Sequence, residues 1–161
     1  MPAFISNTVQ VHIIAYKNSS SEPSYLTMQR DEHSKLYPLI WQVITGKIET
    51  NETALDAALR ELKEETGLEP SKIWSIPFVT TFFEVKKDLI HASPVFGVLV
   101  ENNMQIRLSH EHLAFEWLSY DECIKRLYLV THKEGTRMFK DYILDNDNSD
   151  LFLVKNFKDN V

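Results

Sequence analysis

The hydrophobic and polar positions follow a helical period most clearly over residues 53–67. Leu55, Ala58 and Leu62 recur at spacings of three and four, which places them on one stripe of a helix. Gly67 follows the last periodic residue and is typical of a helix end. The pattern predicts a helix that begins near residue 53 and turns this stripe towards the core.

Runs rich in β-branched and aromatic residues predict strands on both sides of this helix. They lie at residues 9–16, 25–30, 41–45, 72–85 and 94–101. The first two runs are separated by a serine-rich turn, which predicts a hairpin, and His12 on the first is interpreted as a packed core residue. Strands around one long helix, with further helices near the end, indicate an α/β layered domain.

The last third of the chain contains two sequences of the capping-box form. Ser119 and Thr131 are each followed by a glutamate three residues later, which predicts helices reaching about Leu127 and Leu144. Residues 145–150 are predicted to be a polar connector. Residues 151–154 fit either a short strand or a docking tail.

Length and composition predict a single domain over residues 1–161, because one core can bury the apolar side chains of such a chain. The beginning of the chain lacks the form of a signal peptide, and no apolar run approaches a membrane span, so we expect a cytoplasmic protein without a membrane partner. Cys123 is the only cysteine, which excludes an internal disulfide and suggests a small buried side chain.

The net charge of −6 argues against a nucleic acid polymer as partner. A small phosphorylated ligand remains compatible with this charge, because a bound metal ion would supply local positive charge.

Three glutamates give the predicted helix a second, acidic face. Glu61, Glu64 and Glu65 stand at i, i+3 and i+4, where their carboxylates repel one another unless a cation lies between them. Mg²⁺ prefers oxygen ligands and is often shared between protein carboxylates and substrate phosphates. The alternative is a solvated acidic helix edge on which Arg60 pairs with Glu64.

Gly46 and Glu52 stand upstream at fixed offsets and complete a longer motif. Residues 46–68 read G-x5-E-x7-R-E-U-x-E-E-x-G-U, where U is aliphatic, without a substitution. The chain therefore resembles the Nudix hydrolases. The resemblance implies a Nudix fold, an α/β/α sandwich with a mixed β-sheet. It also implies water attack on phosphorus in a nucleoside diphosphate linked to another group, with Mg²⁺ or Mn²⁺ as cofactor.

The resemblance also implies roles for the motif residues. Metal ligands are implied at four positions: the carbonyl of Gly46, and Glu61, Glu64 and Glu65. The residues implied in catalysis are Glu61, Arg60 and Glu64, with Glu61 as a ligand or as the general base and Arg60 orienting it. Glu52 is expected to support the loop before the helix.

Two segments outside the motif are similar to dihydroneopterin triphosphate pyrophosphohydrolases, namely WQVITG at residues 41–46 and EHLAFEWL at residues 111–118. This likeness implies that Glu111 is a fourth carboxylate at the metal; the alternative is an exposed loop acid. His110 and His112 flank it and are candidate phosphate contacts, although surface histidines are commoner.

Three further residues are predicted to bind substrate: Arg30, Trp41 and Gln42. Arg30 would pair with Glu52 or with phosphate. Trp41 would stack on a base or pterin, or else pack in the sheet.

We therefore expect a Mg²⁺-dependent pyrophosphohydrolase that cleaves a nucleoside or pterin triphosphate to the monophosphate and pyrophosphate. Alternatives are a nucleotide-sugar or dinucleotide pyrophosphatase and a broad house-cleaning NTPase. A more distant alternative is a Nudix-like module that senses a nucleotide without turnover. The expected partner is a small molecule, and the sequence is compatible with either a monomer or a homodimer.

Overall fold

The computed structural model describes residues 1–147 and 149–160, in which nine strands form one mixed sheet flanked by helices. The strands are β1 Ala3–Ile5, β2 Thr8–Tyr16, β3 Pro23–Arg30, β4 Trp41–Gln42, β5 Ile44–Lys47, β6 Pro70–Glu84, β7 Leu89–Val100, β8 His112–Leu118 and β9 Leu153–Asn156. The helices are α1 Ala54–Thr66, α2 Tyr120–Arg126 and α3 Val130–Phe139, the last continued by a π-helical turn, Lys140–Leu144. Within the described ranges, no helix is long and apolar enough to cross a membrane.

Strand β2 pairs with different strands along its two halves. The strand order of the sheet is β4-β3-β2-β7-β6-β9, with β1 beside β7, β5 beside β2 and β8 beside β3. The first half of β2 pairs with β5, whereas residues from Ile14 onward pair with β3 in the predicted hairpin. Val43 separates β4 from β5, so the single strand predicted over residues 41–45 is two strands with different neighbours.

Helices cover both faces of the sheet. One core contains Val11 of β2 and Leu62 of α1, and the other contains Ile14 of β2 and Phe139 of α3. Side chains of a strand alternate between its faces, so odd and even positions of β2 enter different cores. This arrangement confirms the predicted mixed sheet between helices.

The predicted ends of α1 are confirmed. The Thr53 hydroxyl accepts a hydrogen bond from the backbone N–H of Asp56, and Gly67 adopts a left-handed conformation with φ of 70°. The Gly67 N–H donates to the carbonyl of Lys63 over 2.9 Å. The capping box at Ser119 is confirmed as well, because its side chain and that of Glu122 exchange hydrogen bonds with the backbone.

The second predicted capping box is wrong. Helix α3 begins at Val130 with Leu129 at its cap, and Thr131 lies inside the first turn. The carbonyl of Thr131 accepts a hydrogen bond from the side chain of Gln10 on β2, so tertiary packing rather than a local cap sets this helix start.

The sequence did not predict strands β1 and β8, which pair with β7 and β3. At the end of the chain, β9 pairs with β6, which confirms the strand alternative for the C-terminal segment. The predicted connector over residues 145–150 includes Asn148, which lies outside the described residues.

A buried polar cluster joins α3 to β2. His12 is 2% exposed; its Nε2 atom accepts a hydrogen bond from the side-chain amide of Gln10 at 2.7 Å, and its Nδ1 atom is 3.1 Å from the hydroxyl of Thr136. A Cβ at Gly135 of α3 would overlap the side chains of Gln10 and His12, so only glycine allows this approach. His12 is therefore a packed core residue, as predicted.

Burial lowers the pKa of His12 to about 3 and that of the neighbouring His132 to about 4, from an ordinary value of 6.5. In the unfolded chain both rings take up protons as the pH falls below 6.5, while the folded protein keeps them neutral until lower pH. The stability that depends on neutral rings is therefore present above pH 6.5 and is lost as the pH falls towards 4 and 3.

We expect the free energy of unfolding to fall between pH 6.5 and 5, each histidine contributing up to about 1.4 kcal/mol per pH unit. Urea denaturation measured across this range tests the effect. A His12→Gln variant should show a shallower pH dependence than the wild type, whereas the exposed control His33→Gln should not. Equal slopes for all three proteins would contradict the assignment.

Candidate metal site and catalytic residues

The guanidinium of Arg60 joins the loop before α1 to the acidic face of that helix. It donates to both carboxylate oxygens of Glu52, at 2.8 and 3.0 Å, and to the carbonyl of Lys47 at 2.8 Å. The same guanidinium donates to Glu61 at 2.8 Å and to Glu64 at 3.1 Å. Such charge-assisted, forked contacts fix geometry as well as adding attraction. Arg60 therefore sets the position of Glu61 relative to the loop.

Glu52 holds the loop in turn. One of its oxygens accepts a hydrogen bond from the backbone N–H of Glu49 at 2.9 Å. The hydrogen bonds from Arg60, and then the one from the Glu49 backbone, keep the pKa of Glu52 below its usual range. Glu52 is thus bound within the loop and helix junction.

Glu65 is the most constrained carboxylate of the site. It is 4% exposed, and its Oε2 atom has no hydrogen-bond partner among the described residues. Burial, and then the nearby charges of Glu61 and Glu111, raise the pKa of Glu65 to about 9. Burial also raises the pKa of Glu61, although Arg60 opposes that shift. The carboxyl groups of Glu61 and Glu111 therefore lie close enough to destabilise the charged form of Glu65.

The loop before β8 delivers Glu111 to this cluster. The backbone N–H groups of Arg107 and Ser109 donate to the carbonyls of Thr66 and Glu65, at 2.8 and 3.1 Å, so the loop caps the end of α1. The carbonyl of Glu111 accepts from the N–H of Asp31 at 2.8 Å, which ties the loop to the end of β3 as well. These long-range backbone contacts bring a residue far away in sequence to the acidic face.

Gly46 lies directly against Glu61. A Cβ at this position would overlap the Cγ and Cδ atoms of Glu61, so the close approach of β5 to α1 requires glycine here. The contact brings the backbone of the motif glycine next to the acidic face.

The donor atoms of this site fit a hard divalent cation. In the ranges 1–147 and 149–160, no group of three or more acidic, histidine or cysteine side chains is arranged to hold a metal ion as it stands. Two of the carboxylates, on Glu61 and Glu64, are bound by Arg60. The buried, unpartnered oxygen of Glu65 and the mutual repulsion of its neighbours nevertheless match the oxygen-rich, anionic sites that Mg²⁺ and Mn²⁺ take.

A buried polar row lies behind Glu65. Arg30 donates from Nη1 to the Oε1 atom of Gln42 at 3.4 Å, and the Nε2 atom of Gln42 is 3.2 Å from Nε2 of His112. The same ring nitrogen is 3.6 Å from Oε2 of Glu65. Burial lowers the pKa of His112 below its ordinary value. Glu52, one of the two partners predicted for Arg30, is bound by Arg60 instead.

Sequence reasoning missed this row. Arg30 and His112 are register partners on β3 and β8, and this pairing has no local signature in the chain. One feature of the sequence could have indicated part of it. Adjacent residues of a strand point to opposite faces of the sheet, so Gln42 and Trp41 could not both face the acidic residues.

Trp41 is in contact with helix α2, whereas the neighbouring Gln42 contacts Arg30 and His112. The guanidinium of Arg126 lies over the indole ring, 4.7 Å from its centre, and also pairs with Glu116 at 2.8 Å. A cation over a tryptophan face is an attractive contact. Trp41 thus helps to attach α2 to the sheet.

Comparison with known proteins gives the class of this chain. The NUDIX domain profile matches residues 7–139. The dihydroneopterin triphosphate diphosphatase of Escherichia coli K12 is 31% identical over 121 residues, which cover 68% of this chain and 77% of that protein. The chain belongs to the Nudix family. Relatives in this family are hydrolases that act on pyrophosphate bonds.

Other relatives match over a smaller part of their length. A Myxococcus xanthus protein named octanoyltransferase is 37% identical over 94 residues, covering 54% of this chain and 25% of that protein. The asymmetrical bis(5'-nucleosyl)-tetraphosphatase of Mus musculus is 31% identical over 84 residues, covering 51% of this chain and 57% of that enzyme. The chain thus spans about a quarter and just over half of these two proteins.

A solved structure supports the fold. The MutT protein of Methanosarcina mazei Go1 superposes with a TM-score of 0.69 at 22% identity, covering 88% of this chain and 96% of that one.

We expect Gly46→Ala to lower the free energy of unfolding by about 1–3 kcal/mol, because the new methyl group overlaps Glu61. Urea denaturation measures the change. In a Glu61→Ala background the same substitution should cost less, since the overlapping atoms are gone, and the difference is the coupling between the two positions. An equal cost in both backgrounds would show that the strain arises elsewhere.

Proposed function

We propose that this chain is a metal-dependent Nudix pyrophosphohydrolase that cleaves a nucleoside or pterin triphosphate to the monophosphate and pyrophosphate. The observation that carries the proposal is the Glu65 carboxylate, buried with an unpartnered oxygen beside Glu61 and Glu111. A buried group of this kind is costly unless a positive partner joins it. A cation shared with substrate phosphates would be that partner.

Mg²⁺ or Mn²⁺ would be held by carboxylates from two parts of the chain. The proposed ligands are the carbonyl of Gly46 and the side chains of Glu61, Glu64, Glu65 and Glu111. When bound, the cation neutralises phosphate charge and lowers the pKa of a coordinated water.

The residues around these ligands position them. Arg60 holds Glu61 through a 2.8 Å hydrogen bond, and Glu52 anchors Arg60 in turn. Glu61 is the alternative candidate for the base that takes a proton from the attacking water, and burial raises its pKa in the direction that suits a base near neutral pH. Arg60 therefore acts through Glu61 rather than on the substrate.

Arg30 is the proposed phosphate contact on the sheet side of the site. Its Nε atom is buried without a hydrogen-bond partner among the described residues, and its charge opposes the pKa increase of Glu65. A guanidinium with an unused donor beside an acidic cluster is suited to an anionic ligand that carries its own oxygen acceptors.

Two relatives support different substrates. The diphosphatase from Escherichia coli, of which the chain covers 77%, supports a pterin or nucleoside triphosphate. The mouse tetraphosphatase supports a dinucleoside polyphosphate as the second candidate, although the chain covers only 57% of it. We place the triphosphate first because that likeness extends over more of both proteins.

We expect pyrophosphate release from dihydroneopterin triphosphate or dATP in the presence of Mg²⁺. Diadenosine tetraphosphate and ADP-ribose complete the panel, and chromatography of the products separates the two candidates. Turnover of diadenosine tetraphosphate alone would favour the second one. If no compound turns over with Mg²⁺ or Mn²⁺ while a nucleotide still raises the melting temperature, the chain is a sensor instead of an enzyme.

The carboxylate assignments make a separate prediction. We expect Glu64→Gln and Glu65→Gln to lower kcat/KM by at least about tenfold, since even groups that only orient a ligand contribute 10–100-fold. Melting temperatures should stay near the wild-type value, because the amide keeps the shape of the side chain. Glu69→Gln is the matched control, an exposed glutamate just beyond α1 that pairs with Lys63. Full activity in both site variants would remove Glu64 and Glu65 from the site.

A further inference from the structure

Strand β1 and parts of β6 and β7 form a three-stranded extension of the sheet. Residues 79–84 of β6 pair antiparallel with residues 89–94 of β7, and β1 pairs with residues 89–91 on the other side of β7. Successive side chains of a strand alternate between the faces of a sheet, and register partners point to the same face. The register therefore assigns each side chain of the extension to one of its two faces.

One face of the extension carries polar groups that contact one another. The carboxylate of Glu84 lies 2.9 Å from Nε2 of His91 and 3.0 Å from the ammonium of Lys87. The ring of Phe82 stacks on the His91 ring, with their centres 4.4 Å apart. This face has an ion pair and a covered histidine, so it suits contact with water.

The opposite face is apolar, and it is called the apolar hairpin face below. Phe83, Ile90 and Phe4 are register partners across the three strands, and they form one continuous row. The face consists of Val79, Thr81 and Phe83 of β6, Ile90 and Pro94 of β7, and Phe4 of β1. Among the described residues of the extension, every charged side chain of a strand lies on the other face.

The apolar hairpin face is exposed in the single chain. Phe4 is 67% exposed, Val79 53% and Phe83 51%. A buried aromatic side chain covers roughly 150–250 Å², so these three residues expose on the order of 300 Å² of apolar surface. A few hundred Å² is about the most that monomeric proteins leave uncovered in one patch. An apolar sheet face of this kind is stable when another layer packs on it.

The charge of the chain indicates which layer that is. With a net charge of −6, two copies of the chain repel each other in general. The apolar hairpin face has no charge of its own, so two copies can meet there without like charges in the contact. A two-fold axis places the same surface on both sides of an interface, and a flat, uncharged face is complementary to itself.

We propose that the apolar hairpin face is the interface of a homodimer, in which the two copies pack these faces together about a two-fold axis. Stable interfaces bury about 800 Å² per partner, with an apolar centre from which charged residues are depleted and a polar rim. The row of Phe4, Phe83 and Ile90 supplies such a centre, and the charged hairpin turn at residues 86–88 supplies part of the rim. The inference goes beyond the proposed function and does not depend on it.

Sedimentation velocity of the full chain tests the proposal. Over roughly 1–100 µM, which brackets a dimer of micromolar Kd, the wild type should form a species of twice the 18.8 kDa monomer. Phe83→Glu puts a carboxylate into the apolar centre in each copy, and we expect the dimer Kd to rise by at least about a hundredfold. Phe83→Leu keeps an apolar side chain there and should still form the dimer.

Phe82→Glu is the matched control. Phe82 is the adjacent residue and is 52% exposed, almost the same as Phe83, but it lies on the polar face. This variant should keep the dimer Kd of the wild type. Equal losses in Phe82→Glu and Phe83→Glu would overturn the proposal, because the contact would then not belong to one face. A wild type that is monomeric at every concentration would also overturn it and would leave a different partner to cover the face.

Phe4→Glu keeps the proposal testable if Phe83→Glu does not fold, which circular dichroism of each variant shows. Phe4 belongs to the short strand β1 and is the most exposed residue of the face, so a charge there disturbs the core least. We expect this variant to be monomeric where the wild type is dimeric. A folded Phe4→Glu protein with the wild-type dimer Kd would overturn the proposal.

Discussion

The repulsion among carboxylates gathered at one end of the sheet is the constraint on which the rest of the site depends. Burial, and then the nearby charges of Glu61 and Glu111, raise the pKa of Glu65, and burial also raises the pKa of Glu61. Arg60 relieves only the outer part of this cluster, because its guanidinium reaches Glu61 and Glu64 but not Glu65. The inner carboxylate is therefore the one that a cation would stabilise most.

The fold holds these groups together through contacts that are themselves stable. Helix α1 is fixed at both ends, by the Thr53 hydroxyl and by the left-handed Gly67, and its apolar stripe lies in a buried core. The loop that carries Glu111 is hydrogen-bonded to the last carbonyls of the same helix. A rigid scaffold of this kind can maintain a locally unfavourable cluster, because relaxing the repulsion would disrupt core packing and backbone hydrogen bonds.

Sequence predicted the local features of this arrangement well. The caps of α1, the acidic face and the box at Ser119 depend on residues within one or two turns of each other. Features set by distant partners were missed. The start of α3 depends on Gln10, more than a hundred residues away, and the pairing of Arg30 with His112 depends on the register of β3 against β8. Propensity and spacing contain no information about such a register.

Neighbouring glutamates of one motif thus have opposite environments. The Glu64 side chain is 59% exposed and shares Arg60 with Glu61, whereas Glu65 is buried and faces the ring of His112. A spacing of one residue on a helix turns the side chain by about 100°, which here separates a solvated position from one against the sheet. The exposed carboxylate can exchange Arg60 for another cation at little cost in desolvation. The buried one has already lost its water, so any ion that it binds gains the full benefit of a dry, oriented ligand.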